Sequence, residues 1–224
     1  EVVGMSGLLG SGRTETALTL FGLNALTGGS IAIDGQPAAI RNPRDAIANG
    51  IALVPEDRHR EGLFLDRNLL QNSAASVLER ISSRFGVVNV KKERQIGEDT
   101  LVNLQVNTRD LALLAQSLSG GNQQKVLLGK WVATAPKLLI LDSPTVGVDV
   151  GSKSQIYEII RQLSSRGIAI LVISDEEEEL LAVCNRIAIF VQGAVTTELS
   201  GEQLKPGFSA IYRNADRNGV GVVD

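Results

Sequence analysis

The sequence predicts an α/β fold with a largely parallel sheet and a helical segment inserted part-way along it. Three observations carry this. The chain opens with an apolar run, a glycine-rich loop and a helical pattern in immediate succession. Short apolar runs then alternate with helical patterns almost to the end, the rhythm of a sheet wrapped on both faces. Between residues 68 and 107 the rhythm stops, and apolar residues recur only at helical spacing.

Glu1-Val2-Val3-Gly4-Met5 reads as a buried strand, and Gly7-Leu8-Leu9-Gly10-Ser11-Gly12-Arg13-Thr14 follows it. A helix comes next, with Ala17, Leu20 and Phe21 at helical intervals. This is the setting of a phosphate-binding loop. Backbone N–H groups close around phosphate oxygens, and a Cβ would obstruct the turn or the approach. The helix N-terminus adds donors and partial positive charge, and Thr14 supplies a hydroxyl for Mg²⁺. The stretch meets the phosphate-loop template except at its lysine, where Arg13 stands. Arginine keeps the charge and can fork across two oxygens, but is bulkier than an ammonium. Taken alone, the stretch also admits a ligand-free glycine turn.

Further on, Ser30-Ile31-Ala32-Ile33-Asp34-Gly35 reads as a strand ending in an Asp-Gly turn. Residues 43–50 form a short helix, with Asn42 as N-cap, Pro43 at its first position and Gly50 as its stop. Ile51-Ala52-Leu53-Val54 is a buried strand that delivers Pro55-Glu56-Asp57-Arg58 to a polar loop. Leu69, Leu70, Ala74, Val77, Leu78 and Ile81, then Ile96, Leu101 and Leu104, mark the helical insertion. A helix over 122–133, a strand over 138–142, a helix over 153–163 and a strand over 168–173 resume the alternation. A helix after Ser174 and strands over 187–191 and 194–199 complete it. The tail from 206 to 224 has weak periodicity and is expected to be poorly ordered. The acidic run 175–179 reads as the solvated first turn of a helix.

The composition is that of an ordinary globular protein, with 43% hydrophobic and 21% charged residues. A net charge of −3 offers no general basic field for nucleic acid, and no nucleic-acid partner is expected. The single cysteine, Cys184, excludes an intramolecular disulfide and reads as a core residue. No apolar run is long enough to cross a membrane, and no signal peptide is visible. The abrupt start on a strand residue implies a piece of a longer polypeptide, soluble as an isolated fragment.

Two further stretches narrow the function. Leu138-Leu139-Ile140-Leu141-Asp142 ends a buried strand on an acid; by itself this is a strand closed by a capping residue. Leu118-Ser119-Gly120-Gly121-Asn122-Gln123-Gln124-Lys125 precedes it, a second anion-ready nest at a helix start. Two such nests, correctly spaced from a strand-end acid that can hold Mg²⁺ through water, are hard to obtain by chance.

Together these motifs resemble the ATP-binding subunits of ABC transporters. Residues 7–14 are similar to their Walker A loop, 118–125 to their signature motif, 138–142 to Walker B, and Gly147-Val148-Asp149 to the D-loop. Gly12-Arg13-Thr14-Glu15 and Val54-Pro55-Glu56-Asp57-Arg58 further resemble the carboxyl-terminal cassette of tandem ATPases serving bacterial ribose, galactose and xylose importers. The resemblance implies a P-loop ATPase core over 1–66 and 131–205, with a helical signature subdomain over 67–130. It implies ATP and Mg²⁺ as ligands, held by Gly7, Gly10, Ser11, Gly12, Arg13, Thr14 and Glu15. Thr14 and Asp142 would hold the metal. Ser119, Gly120, Gly121 and Asn122 would close over nucleotide bound to a second cassette, in the same polypeptide or a homodimer. Membrane permease subunits, and a periplasmic sugar-binding protein indirectly, are the other implied partners, at the cytoplasmic face of the inner membrane. The loop after Glu56 is the expected permease contact. The family's adenine-stacking aromatic lies upstream of the loop, so this chain is expected to lack it.

Several positions depart from the family pattern. Ser143 stands where the family has the glutamate that polarises the attacking water; such a base is worth about 10²–10⁴-fold in rate. The position of the H-loop histidine is taken by Asp175, or by Ser174 if the register slips by one. Glu56 stands at the Q-loop glutamine, and Val146 replaces an arginine usual in this branch. His59, the only histidine, reads as solvated or at a partner contact. The expected activity is therefore Mg-ATP binding that drives cassette closure, with weak hydrolysis at the chain's own site. A non-hydrolytic nucleotide-gated module or soluble ABC protein is the alternative, while the signature stretch argues against a small phosphoryl-transfer enzyme.

Overall fold

The computed structural model describes residues 1–211. Its centre is a six-stranded sheet in the order β4-β5-β6-β1-β7-β8. The strands are β1 (Val2–Gly7), β4 (Ile51–Val54), β5 (Leu138–Asp142), β6 (Ala169–Ile173), β7 (Arg186–Val191) and β8 (Ala194–Ser200). All neighbours pair in parallel except β7 and β8. The runs are apolar at consecutive positions because both faces are covered, and alternate residues serve different cores. Ala52, Val54, Leu139, Leu141, Ile170 and Val172 face one, with α6 (Gly120–Val132) and α7 (Val150–Ser165). Leu53, Ile140 and Ile173 face the other, with Ala17 and Phe21 around α1 (Arg13–Leu20) and Ala46 of α2 (Pro43–Ala48).

A separate hairpin joins β2 (Ile31–Ile33) to β3 (Gln36–Ala38). Asp34 and Gly35 turn it with φ of 52° and 74°, the left-handed pair that two-residue hairpins favour. The strand expected over 30–35 is thus half of a hairpin whose second strand was not anticipated.

The inserted segment folds as α3 (Leu69–Ala74), α4 (Leu78–Ile81) and α5 (Val90–Asn103). Asn68 and Gln71 form a reciprocal capping box at the start of α3, and Asn89 caps α5. Helix α6 begins at Gly120 and α7 at Val150, both slightly ahead of the periodicity, because glycine and a capping Asp149 precede the first apolar positions. Helix α8 (Glu177–Val183) packs against α7.

Residues 206–211, the first of the tail expected to be poorly ordered, pack instead. Phe208 is buried in the core, and the Glu177 carboxylate accepts from the backbone N–H groups of Gly207 and Ser209. The rest of that tail, 212–224, lies outside the described residues. Among the described residues no helix is long and apolar enough to cross a membrane.

The order of the sheet positions the site. Strand β6 lies between β5 and β1, so the loops leaving these three strands sit side by side at one end. In parallel sheets, ligands bind at the carboxyl ends.

Candidate functional site

The loop leaving β1 enters α1 through Gly12, whose φ of 98° is left-handed and suits glycine. No side chain caps the first turn of α1, so its leading N–H groups are open to a ligand. The β7–β8 turn backs the loop, with Gly193 N–H donating to the Ser11 carbonyl at 2.9 Å.

Asp142 ends β5 and is 5% exposed. Burial raises its pKa to about 6; hydrogen bonds from Thr14 and Ser143 and the charge of Arg13 pull it down, while Glu56 pushes it up. Thr14, Glu56 and Asp142 line one cleft, together with Arg58, Val146 and Gly147. A hydroxyl and carboxylates are the hard oxygen donors that Mg²⁺ takes beside phosphate and water. Glu15 is exposed on the first turn of α1 and does not line this cleft. Ser143 follows Asp142 with a φ of 48°, uncommon for a residue other than glycine, and its N–H bonds the Ile173 carbonyl at 2.8 Å.

Arg13 does not project as a free fork. Its side chain is buried, with Nε donating to Ser11 Oγ at 3.1 Å, Nη1 to the Ser174 carbonyl at 3.2 Å and Nη2 to the Leu8 carbonyl at 3.2 Å. Asp175 Oδ1 lies 2.6 Å from Nη2. Ser174 is buried and its hydroxyl accepts from Glu176 N–H, so Asp175 is the residue of this pair that meets Arg13.

The acidic run is not a uniformly solvated turn. Asp175 pairs with Arg13, Glu176 with Lys153 and Glu177 with the backbone at 207–209, while Glu179 is buried. The start of α8 is packed between the β6 end, α7 and the segment after 205, which sequence spacing does not reveal.

The second nest stands elsewhere. Ser119 to Asn122 are absent from the residues lining the Thr14–Asp142 cleft. Ser119 is the N-cap of α6 and its hydroxyl accepts from Asn122 Nδ2 at 3.0 Å, while Asn122 Oδ1 accepts from Asn107 N–H at 2.9 Å. Gly121 has no room for a side chain: a Cβ would lie 2.3 Å from Ser152 Oγ. Lys125, one turn on, donates to the Gln105 carbonyl at 2.9 Å and to Gln155 Oε1 at 2.6 Å.

Arg58 links the two regions, and sequence reasoning missed it. Residues 58–62 form one wide helical turn, closed by Leu63 N–H on the Arg58 carbonyl. The Arg58 guanidinium donates to the carbonyls of Val146 at 2.7 Å and Gly147 at 3.1 Å, and to Gln123 Oε1 at 3.3 Å. His59 is not merely solvated: its Nε2 lies 2.9 Å from the same Gln123 oxygen. The only sequence signal was an arginine in a polar loop after a buried strand.

Known proteins share this arrangement. The profile of the ABC transporter family matches residues 1–146. A ribose import ATP-binding protein RbsA from Chelativorans sp. is 46% identical over 199 residues, 89% of this chain and 39% of the relative. A ribose import ATP-binding protein RbsA 2 from Escherichia coli O157:H7 is 42% identical over 204 residues, 91% of this chain and 40% of the relative. The chain thus spans about 40% of the length of the curated relatives it matches. Among solved structures, a nucleotide-free ATP-binding cassette from an ABC transporter superposes with a TM-score of 0.81 at 19% identity, over 95% of this chain and 87% of that one. A dimeric cassette in a post-hydrolysis state bound to ADP and Pi gives 0.73 at 21%, over 92% and 86%. These two establish a common fold, and with the profile match over most of the chain they lead to one conclusion: the chain belongs to the ABC transporter family.

Proposed function

We propose that this chain is a nucleotide-binding part of a bacterial sugar importer of the ribose type, binding Mg-ATP on its own loop and lending its second nest to the nucleotide of a partner cassette. The observation that carries this is the convergence of Thr14, Asp142 and Glu56 on one cleft beside the uncapped start of α1. Bound Mg²⁺ would neutralise phosphate charge there. Thr14 and Asp142 would hold it, and the amides of residues 10–14 would hold the phosphates. Residues 119–122, outside the cleft, would meet the partner's nucleotide. The division into a core over 1–66 and 131–205 and a helical arm over 67–130 belongs to this reading.

The coupling to membrane subunits is assigned to the loop over 56–67 and the helical arm. Phe64 and Leu78 are exposed there and share a groove with Arg67, Gln71 and Glu93. Arg58 gives the mechanical link, since displacement of that loop pulls on the carbonyls after Ser143 and on α6. The chain would work at the cytoplasmic face of the membrane, with a permease and, through it, a periplasmic sugar-binding protein. Hydrolysis at its own site would be slow, because the Ser143 hydroxyl cannot act as a carboxylate base at neutral pH.

Phosphate release at several millimolar Mg-ATP, without a partner cassette, tests this. The parent is expected to turn over slowly and Ser143→Glu at least tenfold faster, a modest share of what a positioned base supplies. Brisk turnover by the parent, or no gain in the variant, contradicts the reading. A non-hydrolytic module remains the second reading, favoured by Ser143 and by the Arg13–Asp175 pair.

A further inference from the structure

Arg13 opens α1 and is 6% exposed. Of the five N–H groups of its guanidinium, four have acceptors within the chain: Ser11 Oγ, the carbonyls of Ser174 and Leu8, and the Asp175 carboxylate. The cation that faces the phosphate nest is therefore already balanced, and is drawn across the loop toward the end of β6. Asp175 itself is open, its side chain 65% exposed.

The parallel order of β5, β6 and β1 puts Asp142, Asp175 and the nest on one rim. Phosphate seated on the amides at the start of α1 is held by the nest and reached by Thr14. One more phosphoryl group extends past the nest toward the strand ends. There it meets Asp142, Glu56 and Asp175 against a single guanidinium. A divalent metal can offset Asp142 and Glu56, which line its cleft; Asp175 does not line that cleft. Two arrangements are open to the terminal phosphoryl group. If the Arg13–Asp175 pair holds, it finds no free cation. If Arg13 turns toward it, Asp175 is left unpaired on the same rim. Both penalise a triphosphate more than a diphosphate.

The geometry points to the Arg13–Asp175 pair as a lock that makes this loop selective for nucleoside diphosphate over triphosphate. This rests on the nucleotide reading above and adds which nucleotide is retained and what sets the choice. The chain would close on ADP at its own loop, and exchange to ATP would require the pair to open.

Calorimetric titration of the described chain with Mg-ADP, and separately with the Mg²⁺ complex of a non-hydrolysable ATP analogue, tests the lock in the parent, Asp175→Ser and Asp175→Asn. The parent is expected to bind ADP about tenfold more tightly than the triphosphate, as for one like-charge contact near water. Both substitutions are expected to tighten triphosphate binding by about tenfold and to leave ADP within about twofold. Asp175 is exposed, so both variants should fold, and their melting curves check this. Equal affinities in the parent, or equal shifts for both nucleotides in the variants, overturn the lock and leave the nucleotide reading standing. Failure of parent and variants to bind either nucleotide overturns the nucleotide reading, and the lock with it.

Discussion

The starts of α1 and α6 are built alike and surrounded differently. Each is an uncapped helix N-terminus entered through a glycine-rich turn. Behind α6, the polar side chains of the first turns bond to distant backbone: Asn122 to residue 107, Gln123 to residue 115 and Lys125 to residue 105. Around α1, the buried cation is balanced by Asp175, and Asp142 and Glu56 add carboxylates beside it. The lesson is that a row of helix-end amides does not decide what a site accepts. The amides are generic, and the charges arranged around them set the ligand.

The largest expected effect separates the two nests by their backing. Gly121→Val pushes a branched side chain into Ser152, where even a Cβ would lie 2.4 Å from the serine Cβ. Overpacking of that kind should cost about 3 kcal/mol, read from the urea midpoint at constant slope. Gly10 has a φ of 77° and nothing within 4 Å of where its Cβ would stand. Gly10→Ala should therefore cost only its backbone strain, about 1 kcal/mol. Equal losses at the two positions would erase the distinction between a nest packed against the core and one open to a ligand.

Much of this arrangement was legible in the sequence because it is local. The strand, loop and helix around Gly12, the Asp142 strand end and the second nest each lie within a few consecutive residues, where spacing and residue type carry the information. The Asp34-Gly35 turn was read as well, although its partner strand was not; Gln36, Pro37 and Ala38 lack the β-branched texture of a strand. What sequence could not supply is pairing across the chain. Arg13 meets a carbonyl 161 residues away and Arg58 one 88 residues away. The acidic run showed the same limit, since five adjacent acids reach five different surroundings. Which acid is solvated depends on what packs over α8, and Phe208 returns from beyond β8 to do so.

A middling effect probes the bridge between the two regions. Arg58→Lys keeps the charge but cannot fork across the Val146 and Gly147 carbonyls. The loss should be about 1 kcal/mol of global stability, as for one net hydrogen bond on a half-buried side chain. Amide exchange should quicken over residues 145–149 and at the start of α6, and stay unchanged around Gly12. If instead the change spread to the phosphate loop, the two nests would be one mechanical unit rather than two.

The smallest effect is a slope. Glu179 is 1% exposed beneath Ser174, the residue whose carbonyl holds Arg13, and its Oε1 has no hydrogen-bond partner. Burial pushes its pKa up; the Ser174 and Thr145 hydroxyls pull it down, with Glu176 raising it and Lys153 lowering it. An acid whose pKa is raised by folding binds its proton more tightly in the native state, so stability is greatest below the ordinary glutamate value and falls as pH rises through the folded value. Glu179→Gln should thus melt higher than the parent at pH 8, with the difference shrinking to nothing toward pH 4. Asp142, also raised by burial, is present in both proteins and cancels in the difference. Cys184, pushed up to about 12 by burial, stays protonated throughout. A variant less stable than the parent at every pH would mean that the Glu179 carboxylate is well satisfied in its ionised form. The excess of uncompensated negative charge would then be confined to the rim of the α1 loop, and the contrast with α6 would reduce to Asp142, Glu56 and Asp175.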